Sequence, residues 1–244
     1  MGREVTMLAR KNNMHEKLNL RELVNFYDYG IASSKKHATA VNAMMGEELG
    51  VSMMLQYFKN KGEQIEALPG SCNQSTQKGH RLDKWFVRKK PDRVLLYQVE
   101  IKNWSVHSIG GTRAAKEWCE LPLSSVEWTQ YRKKVWGRRF NPEVVLRDPE
   151  ARKVLTPMKP PAGFEKAVIE PVICFWEGMH PEGEGNVFFD VPLKGEKFDK
   201  LFVFSMSNFV HQLIAEGTDF LDVTMPDAVA RKEWIEKLFC TMAA

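Results

Sequence analysis

Asp83, Glu100 and Lys102 are the side chains of this sequence whose types and spacing could do chemistry together. The run VLLYQVEIKNW (94–104) reads as a strand, in which alternate side chains share a face. Leu95, Tyr97, Val99 and Ile101 form an apolar stripe on one face, while Gln98, Glu100 and Lys102 fall on the other. Two charged groups side by side on an otherwise buried strand are costly without partners. The preceding run RLDKWFVR (81–88) and the turn KKPDR (89–93) predict a β-hairpin whose register sets Asp83 opposite residue 99 or 100. Two carboxylates meeting there repel each other, and a hard divalent cation with oxygen ligands relieves that repulsion. The lysine would offset residual negative charge and could orient a water or stabilise a developing oxyanion. A competing reading makes Glu100 and Lys102 an exposed ion pair on a half-solvated sheet, worth little energetically. Asp83 by itself also suits a strand end or turn.

The helix expected upstream adds a further acid. ATAVNAMMGEELGVSMMLQYFKN (38–60) has helical spacing, with Met44, Val51, Met54, Leu55 and Phe58 on one side and a stop at Gly62. Glu47 lies in line with that apolar stripe, and its neighbour Glu48 lines up with Val41, Met45 and Ser52. Either could be the inward acid; the more continuous stripe favours Glu47. The remaining pattern gives a helix over 126–140, a strand over 166–176 with Pro171 hinting at a bulge or an edge, strands in NVFFDVPL and LFVFSM, and helices in SNFVHQLIAEG and DAVARKEWIEKLF. This order predicts an α/β fold in which helices cover a mixed sheet.

Composition bounds the class. A chain of 244 residues with 43% hydrophobic and 27% charged side chains can bury a core without disulfides or a structural metal. The four cysteines form no CxxC pair, and the six histidines do not cluster at metal-binding spacing. No apolar run approaches the length of a membrane span, and the first residues are too polar for a secretory signal, so a cytoplasmic location without membrane attachment is expected. The net charge of +4 is uneven, because residues 177–227 carry ten acidic and three basic side chains, leaving a basic body. Such a body suits a polyanionic partner, although a solvated surface explains most imbalances of this kind.

The helix expected over 126–140 concentrates that basicity in Arg132, Lys133, Lys134, Arg138 and Arg139, interleaved with Trp128, Tyr131 and Trp136. These cations could neutralise nucleic-acid phosphates while the aromatic side chains bury themselves.

A helix acid, then Asp, then Glu-x-Lys on a strand, then a helix and a further strand resembles the PD-(D/E)xK nuclease superfamily, with its restriction-endonuclease-like fold. The stretches GEELG (46–50), HRLDKW (80–85) and VEIKNW (99–104) carry the resemblance, which spans about residues 38–176. Leu82 stands where the nominal motif has proline. The resemblance implies that Asp83, Glu100 and the Ile101 carbonyl bind Mg²⁺ or Mn²⁺. Lys102 would position the attacking water, and Glu47 would complete or support the metal site. It implies hydrolysis of phosphodiester bonds, in DNA first with RNA not excluded. Gln130 resembles a glutamine that some exonuclease-like branches place near the metal. The same fold also serves as a non-catalytic DNA-binding or assembly subunit. Cutting both strands would call for two active sites and hence a homodimer or a larger nucleoprotein complex. The domain reading that follows is an N-terminal appendage (1–37), a nuclease-like core (38–176) and a C-terminal α/β extension packed on it (177–244).

Overall fold

The computed structural model describes residues 15–27, 35–69, 72–73, 81–102, 149–176 and 186–238. In chain order these form β1 (His15–Asn19), α1 (Leu20–Tyr27), α2 (Lys35–Met45), α3 (Glu48–Asn60), β2 (Ile65–Ala67), β3 (Cys72–Asn73) and β4 (Arg81–Leu82). They continue with β5 (Lys84–Lys89), β6 (Val94–Lys102), α4 (Pro149–Val154), β7 (Val168–Phe175), β8 (Phe188–Pro192), β9 (Lys200–Ser205), α5 (Met206–Ala215), β10 (Phe220–Thr224) and α6 (Pro226–Leu238).

The expected hairpin is the spine of a mixed six-stranded sheet ordered β2-β5-β6-β7-β9-β8. β5 and β6 pair antiparallel with Lys84 opposite Val99, while β6–β7 and β7–β9 are parallel. Parallel strands need crossovers and are covered on both faces, which explains why β6 is buried along almost its whole length. Leu95, Tyr97, Val99 and Ile101 share one core with Leu49, Met53, Met54 and Phe58 of α3, with α1 and with Phe209 and Val210 of α5. Leu96, Ile173 and Val203 share a second core with Val154, Leu155 and Met158 on the other side. The result is an α/β architecture with helices on both faces of the sheet.

Pro171 fits without a bulge. β9 begins to pair with β7 only at Val172, so the missing proline N–H falls just before that ladder starts.

Three expectations change. The helix over 38–60 is two helices, because Gly46 takes φ +59° and the chain turns there between α2 and α3. That left-handed conformation suits glycine and ends a helix, and the Gly46 N–H still reaches the Asn42 carbonyl. The segment 177–244 is not an extension packed on a finished core, since β8 and β9 are strands of the central sheet. Likewise residues 15–27 are built in: β1 pairs with β10, and Leu20, Leu23, Val24 and Tyr27 are buried in the first core. No helix among the described residues is long and apolar enough to cross a membrane.

Candidate active site

Asp83 stands at the bend between β4 and β5, where the hairpin opens. Its N–H donates to the Val99 carbonyl at 3.1 Å, and its Oδ2 accepts the Ile101 N–H at 2.6 Å. The carboxylate thus takes the ladder position that β5 has vacated. Within a strand the N–H and C=O of one residue point to the same edge, so the Ile101 carbonyl is directed to the side that Asp83 occupies.

Glu100 projects from the opposite face of β6 to Ile101 and is only 2% exposed, so it is not a member of a solvated surface pair. Lys102 Nζ lies 2.6 Å from Glu100 Oε1, and Lys153 Nζ from α4 lies 3.9 Å from the same oxygen. Glu100 Oε2 is buried and has no hydrogen-bond partner among the described residues. An unpaired buried carboxylate oxygen is expensive. Burial, and then the charge of Asp83, push the Glu100 carboxyl up to about 7, against the pull of Lys102 and Lys153.

Glu47 occupies the N-cap of α3, yet its side chain makes no capping hydrogen bond. It lies beside the Asp83 carboxyl instead, close enough to raise it. Burial first, then this contact with Glu47, raise Asp83 to about 6, with the Ile101 N–H and Lys102 opposing. Two carboxyl groups this close repel each other when both are ionised, and a cation between them relieves that repulsion.

Glu48 has a different task. Its two carboxylate oxygens accept the Asp227 N–H at 3.0 Å and the Ala228 N–H at 2.8 Å, capping α6. Arg231 of α6 donates to the Met44 carbonyl at 2.6 Å. The two neighbouring acids are therefore divided between the carboxylate cluster and the C-terminal helix. α3 reaches the sheet closely enough to deliver Glu47 because residue 50 is glycine. A Cβ there would stand 2.6 Å from Ile101 Cγ2 and 3.2 Å from Cys174 Sγ.

Nothing in the sequence marks Lys153 as a site residue. Gln98 brings it in: its amide donates to the Val154 carbonyl and, at 3.0 Å, to the Thr156 carbonyl, and its Oε1 accepts the Met158 N–H at 3.0 Å. A fully buried glutamine on the Glu100 face was the one signal, and it names no partner in sequence.

Among the described residues no three His, Cys, Asp or Glu side chains form a ready-made metal-holding group. The chemistry of the donors nevertheless suits a hard divalent ion. Glu100 Oε2 lacks a partner among the described residues, Glu47 crowds the Asp83 carboxyl and raises it, and the Ile101 carbonyl faces the same place. Asp83, Glu100 and the Ile101 carbonyl could hold such an ion, with Glu47 beside them. The structure brings Glu47, Asp83, Glu100, Ile101 and Lys102 together. Gln130, Arg132, Lys133, Lys134, Arg138 and Arg139 lie outside the described residues.

The chain matches no family model, no curated protein and no solved structure.

Proposed function

We propose that the chain is a Mg²⁺- or Mn²⁺-dependent nuclease with a restriction-endonuclease-like core that hydrolyses DNA phosphodiester bonds. The observation that carries this reading is the closeness of Asp83 to Glu100 at the opening of the β5–β6 hairpin, where its charge helps to raise the Glu100 carboxyl, with Glu100 Oε2 unpartnered among the described residues and Lys102 bound to the other Glu100 oxygen. Structural ion pairs do not need a second and a third carboxylate; a cation site does.

A bound divalent ion supplies Lewis-acid polarisation of the phosphoryl group and a more acidic water. The protein's own residues do the rest. Asp83 is held by the Ile101 N–H, which fixes the direction of its second oxygen. Glu100 anchors the Lys102 ammonium within the site, where it orients the attacking water. Glu47 adds negative charge at the solvent side of Asp83. In the reaction the water oxygen bonds to phosphorus and one ester P–O bond breaks, giving a phosphate monoester and a sugar hydroxyl.

The test is incubation of plasmid, linear duplex and single-stranded DNA with Mn²⁺, comparing the wild type with Lys102→Ala. Metal-dependent cutting that is lost in the variant is the expected result. Binding of DNA by both proteins without cutting by either would make the chain a DNA-binding subunit instead.

A further inference from the structure

Lys153 lies on no expected motif, yet it reaches the same Glu100 oxygen as Lys102. The two lysines are held differently. Lys102 is close to the carboxylate at 2.6 Å and is 20% exposed, whereas Lys153 is 3.9 Å away and 36% exposed. The backbone under Lys153 is fixed, because Gln98 ties the Val154, Thr156 and Met158 backbone groups to β6. The side chain above that backbone is the looser partner. A long, half-exposed ion pair costs little to exchange for another anion.

A phosphodiester approaching Asp83, Glu100 and Glu47 is an anion meeting three carboxyl groups. Cations on the solvent side of that cluster must offset them, and Lys102 is the more deeply seated of the two lysines. Resting on the nuclease reading above, we propose that Lys153 is a phosphate-holding residue of this site. Its ammonium exchanges the Glu100 carboxylate for a non-bridging oxygen of the DNA phosphodiester, while Lys102 remains on Glu100. The lysine then draws the substrate in and stabilises charge on the phosphoryl oxygens as the water attacks. It touches the reacting group and so counts as catalytic.

The experiment uses the full chain as wild type, Lys153→Ala, Lys153→Gln and Lys153→Arg. Duplex cleavage is measured with Mn²⁺, and duplex binding is measured with Ca²⁺ across a range of salt. Loss of the ammonium should lower kcat/KM about 100-fold or more. It should also reduce the slope of log K against log salt by about one. The conservative substitution Lys153→Arg should retain most of both, which separates a charge contact from a packing role. A wild type that cuts, with Lys153→Ala and Lys153→Gln cutting equally well, overturns the assignment and leaves the nuclease reading standing. A wild type that binds but does not cut, with a salt slope that still drops in both variants, ends the nuclease reading and keeps the phosphate contact. An unchanged slope with no cutting overturns both.

Discussion

Asp83 Oδ2 accepts the Ile101 N–H at 2.6 Å, so one side chain closes the edge of β6 that the backbone of β5 leaves open. Removing it by Asp83→Ala leaves a partly buried N–H unpaired, which costs about 1–3 kcal/mol. Asp83→Asn keeps an acceptor oxygen for Ile101 and should cost less. If the proposed site holds a divalent ion, Mn²⁺ at a hundredfold excess over Kd should stabilise the wild type by about 2.7 kcal/mol, and both variants should lose that gain. Thermal melts with and without the metal measure this directly. A Mn²⁺-dependent rise in Tm that persists in Asp83→Asn would remove Asp83 from the metal site.

The adjacent acids Glu47 and Glu48 should separate cleanly. Glu47→Gln removes a like charge beside Asp83, so stability without metal should hold or rise while the Mn²⁺ effect shrinks. Glu48→Ala uncaps α6 at Asp227 and Ala228 and should cost about 1 kcal/mol while the metal effect stays. Urea unfolding followed by circular dichroism, with and without Mn²⁺, distinguishes the two. The reverse pattern would mean that the roles are exchanged.

The parts of the fold legible in the sequence are those with a strong local period. From Tyr97 to Lys102 β6 alternates apolar and polar side chains, and the Pro91-Asp92 turn fixes its partner, so the faces of Glu100 and Ile101 follow from residue parity alone. The elbow at Gly46 was not legible, because a single glycine in a helical pattern is usually absorbed by the helix, and only its positive φ marks the break. β1 and β10 pair residues from opposite ends of the chain, His15 with Thr224, and no local pattern announces such a partner. Within the site, the three residues carried by the hairpin could be placed from sequence. The choice between Glu47 and Glu48 depended on α6, which packs there from far along the chain. Lys153 depended on where the chain returns after β6, set by the buried Gln98 amide.

The pH dependence has a definite sign. Asp83 and Glu100 bind their protons more tightly in the folded chain, at about 6 and about 7, than at their ordinary values of 3.8 and 4.5. Between those limits the folded state carries more protons than the unfolded one. The stability linked to these groups is therefore whole below about pH 4 and lost as pH rises through about 6 and 7, by up to roughly 6 kcal/mol in all. A divalent ion competes with the same protons, so its apparent affinity should increase across that window and proton release should accompany binding. Urea midpoints recorded from about pH 4 to about pH 8 should fall without metal and flatten with Mn²⁺. A midpoint without metal that climbs steadily over this range would contradict the buried, mutually repelling pair.

Gly50 offers a test of how the helix delivers Glu47. A methyl group at this position meets Ile101 Cγ2 at 2.6 Å and Cys174 Sγ at 3.2 Å, both on the buried face of the sheet. Gly50→Ala should force α3 outward and cost about 1–3 kcal/mol as an overpacked core does. Because Glu47 sits one turn before Gly50, the same displacement should weaken the Glu47–Asp83 contact and reduce the Mn²⁺ effect. Gly62→Ala is the control. Its φ of +70° strains an alanine, but nothing lies within 4 Å of the added carbon. It should cost about 1 kcal/mol through backbone strain alone and leave metal binding untouched. Matched melts of the two variants decide the matter: equal losses of stability with equal metal responses would show that close contact at Gly50 does not position Glu47.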